Sequence, residues 1–149
     1  MNILFPFASI KESIKHTKRE YLYLQLHKAT IHVVTGRFPN HPSSKIWIYH
    51  THFLCEYALQ SLLFMSDNGK HYPNLFDKFH EAQLKVANTG PPSWWGNKDV
   101  HSSHQAYLLS LDPDYYSQFE WNVKPAKTIY LPSIDPLTEL LRIQKELPC

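Results

Sequence analysis

Asp99-Val100-His101-Ser102-Ser103-His104-Gln105-Ala106-Tyr107-Leu108-Leu109-Ser110-Leu111-Asp112-Pro113 decides the fold class. Val100, His104, Tyr107 with Leu108, and Leu111 recur every three or four residues, the period of one helix face. Asp99 can cap the start of that helix. Asp112-Pro113 reads as an N-cap followed by proline at the first helical position, so a second helix begins where the first stops. Asp135-Pro136 repeats the pattern and opens a C-terminal amphipathic helix carrying Leu137, Leu140, Leu141 and Leu147.

Working back toward the N-terminus, Ser9-Ile10-Lys11-Glu12 is a capping-box pattern. Helical character is expected from there toward Val34, with room for a break, and Thr35-Gly36 ends it. Phe38-Pro39-Asn40-His41-Pro42 cannot be regular helix, because each proline restricts the residue before it. Ser43 or Ser44 can cap the next helix, on which Trp47, Leu54, Ala58, Leu62 and Met65 make one apolar face ending near Asp67-Asn68-Gly69. Pro73-Asn74 opens another, with Leu75, Phe79, Ala82 or Gln83, and Val86 inward, and Asn88-Thr89-Gly90-Pro91-Pro92 closes it. Ile31–Val34 is the best strand candidate and reads equally well as helix. The class is mainly α, a single compact helical domain over residues 1–149.

The chain is 43% apolar and 19% charged, which is a globular balance. No apolar run approaches the roughly 20 residues of a membrane span, and Met1–Phe7 has no basic segment of the kind that starts a signal peptide. Cys55 and Cys149 do not make a disulfide framework, so a reducing, cytoplasmic setting is expected. The net charge of +2 is uneven. Residues 1–45 hold seven Lys/Arg against Glu12 and Glu20, a net of +5, which leaves −3 for the remainder. A basic N-terminal third suits phosphate contact, and also suits an ordinary solvated helix face.

Polar groups able to bond a base edge alternate along the chain with aromatics able to stack on one. Asn40-His41-Pro42 precedes Trp47. Pro91-Pro92-Ser93-Trp94-Trp95 precedes His101-Ser102-Ser103-His104. A neutral imidazole donates and accepts at once, which suits base recognition and proton transfer. His101 and His104 share a helix face, either lining a pocket or completing the core. Trp94 and Trp95 follow two prolines in a stiff loop, where a Trp can stack on a base or plug the core. Tyr115 and Tyr116 read as core packing. Glu20 is the carboxylate best placed in the basic region and stands at i, i+4 from His16, as an acid–base pair or an ordinary intrahelical pair. His52, Cys55 and Glu56 share a face of metal-ligand types, but no paired metal motif accompanies them. Only four glycines are present and none forms a phosphate loop, so no cofactor is expected.

Taken in order, these residues resemble the endonuclease V-like pyrimidine-dimer DNA glycosylases and their uncharacterised phage and bacterial relatives, from Met1 to about Pro132. In that family an Asn-His-Pro step precedes a Trp, as Asn40-His41-Pro42 and Trp47 do. A Trp-rich loop leads into His-x-Ser-His, then Asp-Pro-x-x-Tyr and Phe-x-Trp, as in His101–His104, Asp112–Tyr116 and Phe119–Trp121. Lys127-Thr128-Ile129-Tyr130 is similar to the family's C-terminal Lys-Ala-Ile-Tyr, and His16, Glu20 and Tyr21 match residues of its first long helix.

The resemblance implies an all-α fold that binds kinked duplex DNA, flips a nucleotide and cuts an N-glycosidic bond. Well-known members attack with an N-terminal α-amine, whose pKa near about 8 leaves a useful unprotonated fraction. Here that amine would belong to Met1. The chain departs from the pattern at Tyr23, where those enzymes carry the catalytic glutamate, and at Leu22 and Leu26, where they carry arginines. Lys28 and Thr51 stand where relatives carry further glutamates.

The expected activity is a glycosylase acting on a modified or damaged pyrimidine. Glu20, His16, His104 and Met1 are its candidate catalytic groups. Arg19, Gln25, Asn40, His41, Trp47, Trp94, Trp95 and His101 are its candidate DNA and base contacts. The alternative is a non-catalytic binder of a free nucleotide or modified DNA on the same scaffold. The expected partner is DNA, without a membrane, and the expected state a monomer or weak dimer. A base-modifying transferase is a third class, for which no cofactor motif is visible.

Overall fold

The computed structural model describes residues 3–33, 47, 49–130, 132 and 135–146. They form α1 (Ile10–Lys15), α2 (Arg19–Val33), α3 (Thr51–Asp67), α4 (Pro73–Leu84), α5 (Lys98–Leu111), the single turn α6 (Pro113–Tyr116) running into a 3₁₀ turn at Ser117–Phe119, and α7 (Pro136–Glu146). There is no strand among the described residues, and Ile31–Val33 belong to α2. No helix among them is long and apolar enough to cross a membrane.

The caps explain most of the boundaries. The Ser9 hydroxyl accepts from the Glu12 N–H at 3.2 Å and starts α1. Asp112 accepts from the Tyr115 N–H at 3.1 Å with Pro113 behind it, and Asp135 accepts from the Thr138 N–H at 3.2 Å. At α5 the cap is Asn97 rather than Asp99: the Asn97 side chain takes the Asp99 N–H at 2.9 Å, which leaves Asp99 as an anion in the first turn. The break in the first helical stretch falls at His16-Thr17-Lys18. There the Tyr116 hydroxyl accepts the Lys18 N–H at 2.9 Å, and the Lys18 ammonium pairs with Asp112 at 2.7 Å. One of the basic residues of the N-terminal third is therefore engaged within the fold.

Helix α3 is the centre. Leu54, Cys55, Tyr57, Ala58, Leu62 and Met65 are buried along it, and it packs against α1, α2 and α4. Trp47, expected on this helix, precedes it in a turn and is buried all the same. Phe79 of α4 and Leu22, Leu26 and Ala29 of α2 complete that core. Each large aliphatic side chain so buried is worth roughly 1.5–3 kcal/mol. Val86, expected on the inner face of α4, lies beyond its end and is exposed. A second cluster joins Leu4, Leu108, Leu109 and Tyr116, with Tyr115, Phe119 and Trp121 packed on it. Tyr115 and Tyr116 thus pack as expected.

Helix α7 departs from its expected face at Leu137 and Leu141, while Leu140 is half-buried and Leu147 lies outside the described residues. Leu137 and Leu141 are 62% and 49% exposed, whereas Glu139 and Ile143, four apart, are 5% and 3% exposed. The reason is a set of donors waiting for a carboxylate. Glu139 Oε1 meets His50 Nε2 at 2.8 Å, Arg142 Nη2 at 2.7 Å and the Ser93 N–H at 3.2 Å. His50 is itself buried, and its Nδ1 donates to the Gly90 carbonyl at 3.1 Å. Both ring nitrogens therefore face oxygen acceptors. Burial pushes the Glu139 carboxyl up, but the bonds from Arg142, Ser93 and His50 outweigh it and hold the group down at about 2.

Candidate functional site

Residues 4–7 run through the interior without a helix or sheet to satisfy their backbone, and buried backbone groups need partners. Side chains supply them. The Leu4 N–H donates to Gln25 Oε1 at 2.9 Å, which also accepts the Tyr57 hydroxyl at 3.1 Å. The Phe5 N–H donates to His104 Nδ1 at 2.8 Å, and His101 Nδ1 donates to the Phe5 carbonyl at 2.7 Å. Gln105 donates to the Pro6 carbonyl at 2.9 Å, and the Ser13 hydroxyl serves both backbone groups of Phe7.

The bonds fix the two tautomers. His101 carries its proton on Nδ1, since its Nε2 accepts the Gly96 N–H at 3.0 Å. His104 keeps its Nδ1 lone pair for Phe5, so in the neutral ring the proton sits on Nε2. Gly96 adopts φ +89°, a left-handed conformation that glycine takes without strain, and so aims that N–H at the ring. Burial lowers the His101 pKa. Burial, then the neighbouring His101, drives His104 down to about 3.

Phe5 fills the space between the aromatics that the sequence offers for stacking. Its ring lies 4.9 Å from Tyr57, 5.0 Å from Trp95, 5.8 Å from Trp47 and 6.3 Å from Trp94. Trp47 and Trp94 are almost fully buried and Trp95 partly so. Gln25, Trp47, Trp94, Trp95, His101 and His104 are thus brought together, and what they hold is the chain's own N-terminal segment. The Trp94 indole N–H and the Gln25 amide N–H are buried with no partner among the described residues.

The depressed histidines predict a pH dependence. An unfolded His104 titrates near 6.5 and the folded one near 3, so below pH 6.5 the unfolded chain binds the extra proton. Stability is therefore full above pH 6.5 and falls as the pH drops toward 3. Urea unfolding at pH 7.5 and pH 5 is expected to show a lower midpoint at pH 5, and His104→Asn to reduce the difference. An unchanged midpoint would mean that the two rings are not held neutral.

The other expected catalytic groups lie elsewhere. His16 ends α1, its Nδ1 2.7 Å from the Glu12 carbonyl, and its ring packs on Phe7 and Phe119. The helix break separates it from Glu20, so the expected i, i+4 pair does not form within one helix. Met1, Asn40, His41 and Pro42 fall outside the described residues. Cys55 is fully buried and its thiol is pushed up to about 11 by burial, while Glu56 is bonded to Gln60 and Gln83. Among the described residues no three His, Cys, Asp or Glu side chains converge on a metal-sized site.

Arg19 and Glu20 line an open cleft of about 370 Å³ between the outer face of α2 and the turn joining α3 to α4. Tyr23, Leu24, Met65, Lys70 and Tyr72 complete its wall. Tyr23 and Tyr72 are 54% and 36% exposed, with ring centroids 6.2 Å apart and planes at 46°. A second cavity of about 220 Å³ adjoins it, sharing both tyrosines and extending past His27 and Thr30 to Leu62 and Leu75. Sequence reasoning singled out Arg19 and Glu20 but missed the tyrosines and Lys70. Tyr23 does lie one helical turn from Glu20, which puts both on one face. Tyr72 and Lys70 carried no signal, because only the packing of α3 and α4 on α2 brings them there. Comparison with family models, curated proteins and solved structures finds no match to this chain.

Proposed function

We propose that the protein binds a nucleobase-bearing anion, as a free nucleotide or as part of a nucleic acid, in the cleft at α2. The observation that carries this reading is the grouping of Tyr23 and Tyr72, both exposed, with Arg19, Lys70 and Glu20 around one cavity. Exposed aromatic faces suit base stacking, worth roughly 1–3 kcal/mol per base. Arg19 and Lys70 suit phosphate, Arg with a planar fork and Lys as a point charge. Glu20 can accept from an exocyclic amino group on a base edge.

The test is titration with nucleoside monophosphates and oligonucleotides at several salt concentrations. Tyr23→Ala is expected to weaken binding by about tenfold or more, one stacking contact. Arg19→Ala is expected to weaken it across all bases and to reduce the salt slope by about one unit. If neither substitution alters binding, the cleft is not the site.

The resemblance to the glycosylases supports a second reading, in which the cleft acts on a modified pyrimidine. Glu20 is the observation that favours it, as a carboxylate beside two aromatic faces. Water would add at the sugar C1′ as the glycosidic bond breaks, Glu20 would take the water's proton, and the base would leave with the bonding pair. Duplexes carrying single modified pyrimidines test this by release of free base. Glu20→Gln is expected to stop release while sparing binding, and borohydride trapping separates imine from water chemistry. A broad panel yielding neither free base nor alkali-labile strands leaves only the binding function.

A further inference from the structure

We propose that the cleft is a track for single-stranded nucleic acid, seating two consecutive nucleotides with one base on each side of the Tyr23–Tyr72 pair; this rests on the base-binding reading above.

Three observations lead to it. The two cavities share the tyrosine pair as a common wall, and both are lined by α2. The tyrosine centroids, at 6.2 Å with planes at 46°, do not make a parallel pair that could sandwich a base, and both side chains line both cavities. The spacing also fits. Along α2 the first cavity is lined by Arg19, Glu20, Tyr23 and Leu24, and the second by Tyr23, Leu26, His27 and Thr30. Their midpoints are about five residues apart, or about 7.5 Å at the helical rise of about 1.5 Å per residue. Successive bases along a strand stack about 3.4 Å apart. Tyr23, which lines both cavities, inserted as a single ring between them doubles that to about 7 Å.

The charges distinguish the two cavities. Arg19 and Lys70 flank the first cavity, where Glu20 also stands. The second has His27 as its one ionisable side chain apart from the shared tyrosines. A 5′- or 3′-terminal phosphate therefore belongs beside Arg19 and Lys70, and the second nucleotide is held by stacking on Tyr72 and by Leu62 and Leu75. A duplex cannot use both cavities, because its stacked bases are already occupied by each other and do not admit a side chain without unstacking.

The experiment compares phosphorylated oligodeoxycytidylates of one, two and four residues with a short blunt duplex of the same sequence, by competition against a labelled single strand. The two-residue ligand is expected to bind about tenfold tighter than the mononucleotide, one added stacking contact. The four-residue ligand is expected to gain little more, and the duplex to bind more weakly than either oligonucleotide. Tyr72→Ala is expected to remove most of the gain, and Tyr72→Phe to retain it. Thr30→Met, which narrows the second cavity, is expected to erase the advantage of the two-residue ligand over the mononucleotide. Equal affinity for one and two residues overturns the track while base binding stands, and so does a duplex that binds as well as the single strand. Binding of none of them overturns both.

Discussion

Replacing His104 by alanine is expected to destabilise the fold by about 4 kcal/mol. The ring is 2% exposed, and its Nδ1 is the partner of the Phe5 N–H. Its loss leaves that donor buried and unpaired, at about 1–3 kcal/mol. The cavity left beside Trp94 and His101 adds about 2 kcal/mol more. His104→Asn keeps an acceptor at nearly the same place, so it is expected to recover about half the loss. Urea unfolding at pH 7.5 measures both, read as a shift in midpoint at unchanged slope. A cost below about 1 kcal/mol for the alanine variant would show that the N-terminal segment does not depend on this ring.

The second large effect lies at the other end of the chain. Glu139→Ala removes the one carboxylate shared by His50, Arg142 and the Ser93 N–H. Breaking a buried ion pair from one side costs about 3–5 kcal/mol. Arg142 is partly exposed and can turn toward Glu146, so the lower end, about 3 kcal/mol, is expected. The loss should be local. Hydrogen exchange is expected to speed up in α7 and in the segment around Gly90 to Ser93, with α2 and α3 protected as before.

The pH dependence of this contact follows the depressed carboxyl. The stabilisation is complete above the unfolded value of 4.5 and is lost as the pH falls through 4.5 toward 2. Leu137→Ala and Leu141→Ala, on the exposed side, are expected to cost under about 0.5 kcal/mol each. If they cost more than Glu139→Ala, the helix is seated by its leucines instead.

Sequence periodicity and capping carried the mainly helical class, because both are local. Asp112-Pro113, Asp135-Pro136 and Ser9 each start a helix as read. The common face of His101 and His104 was legible for the same reason. Their partner was not. A histidine pair aimed at a base and one aimed at the chain's own backbone have the same spacing, and nothing around Phe5 announces an extended segment buried without a sheet. Trp47, Trp94 and Trp95 share that ambiguity, resolved here by the Phe5 ring among them.

Helix α7 was misread because hydrophobic periodicity assigns leucines inward by default. The His50 ring and the Ser93 N–H, which come from segments far away in sequence, hold Glu139 inward, with Arg142 of the same helix as its third donor. The cleft was half legible: Arg19 and Glu20 belong to one helix, while Lys70 and Tyr72 reach it only through the packing of α3 and α4.

The fastening of Phe5 also sets an order of events during synthesis. Its two backbone partners, His104 and His101, lie 99 and 96 residues downstream. At about 5–20 residues per second, a ribosome needs roughly 5–20 s to deliver them after Phe5 has been made. For that time Phe5 lacks both of its backbone partners, and its apolar side chain is open to whatever binds nascent chains. Residues 3–7 are translated well before the two histidines that secure Phe5. A pause in translation before α5 would lengthen that exposure without changing the native structure at all.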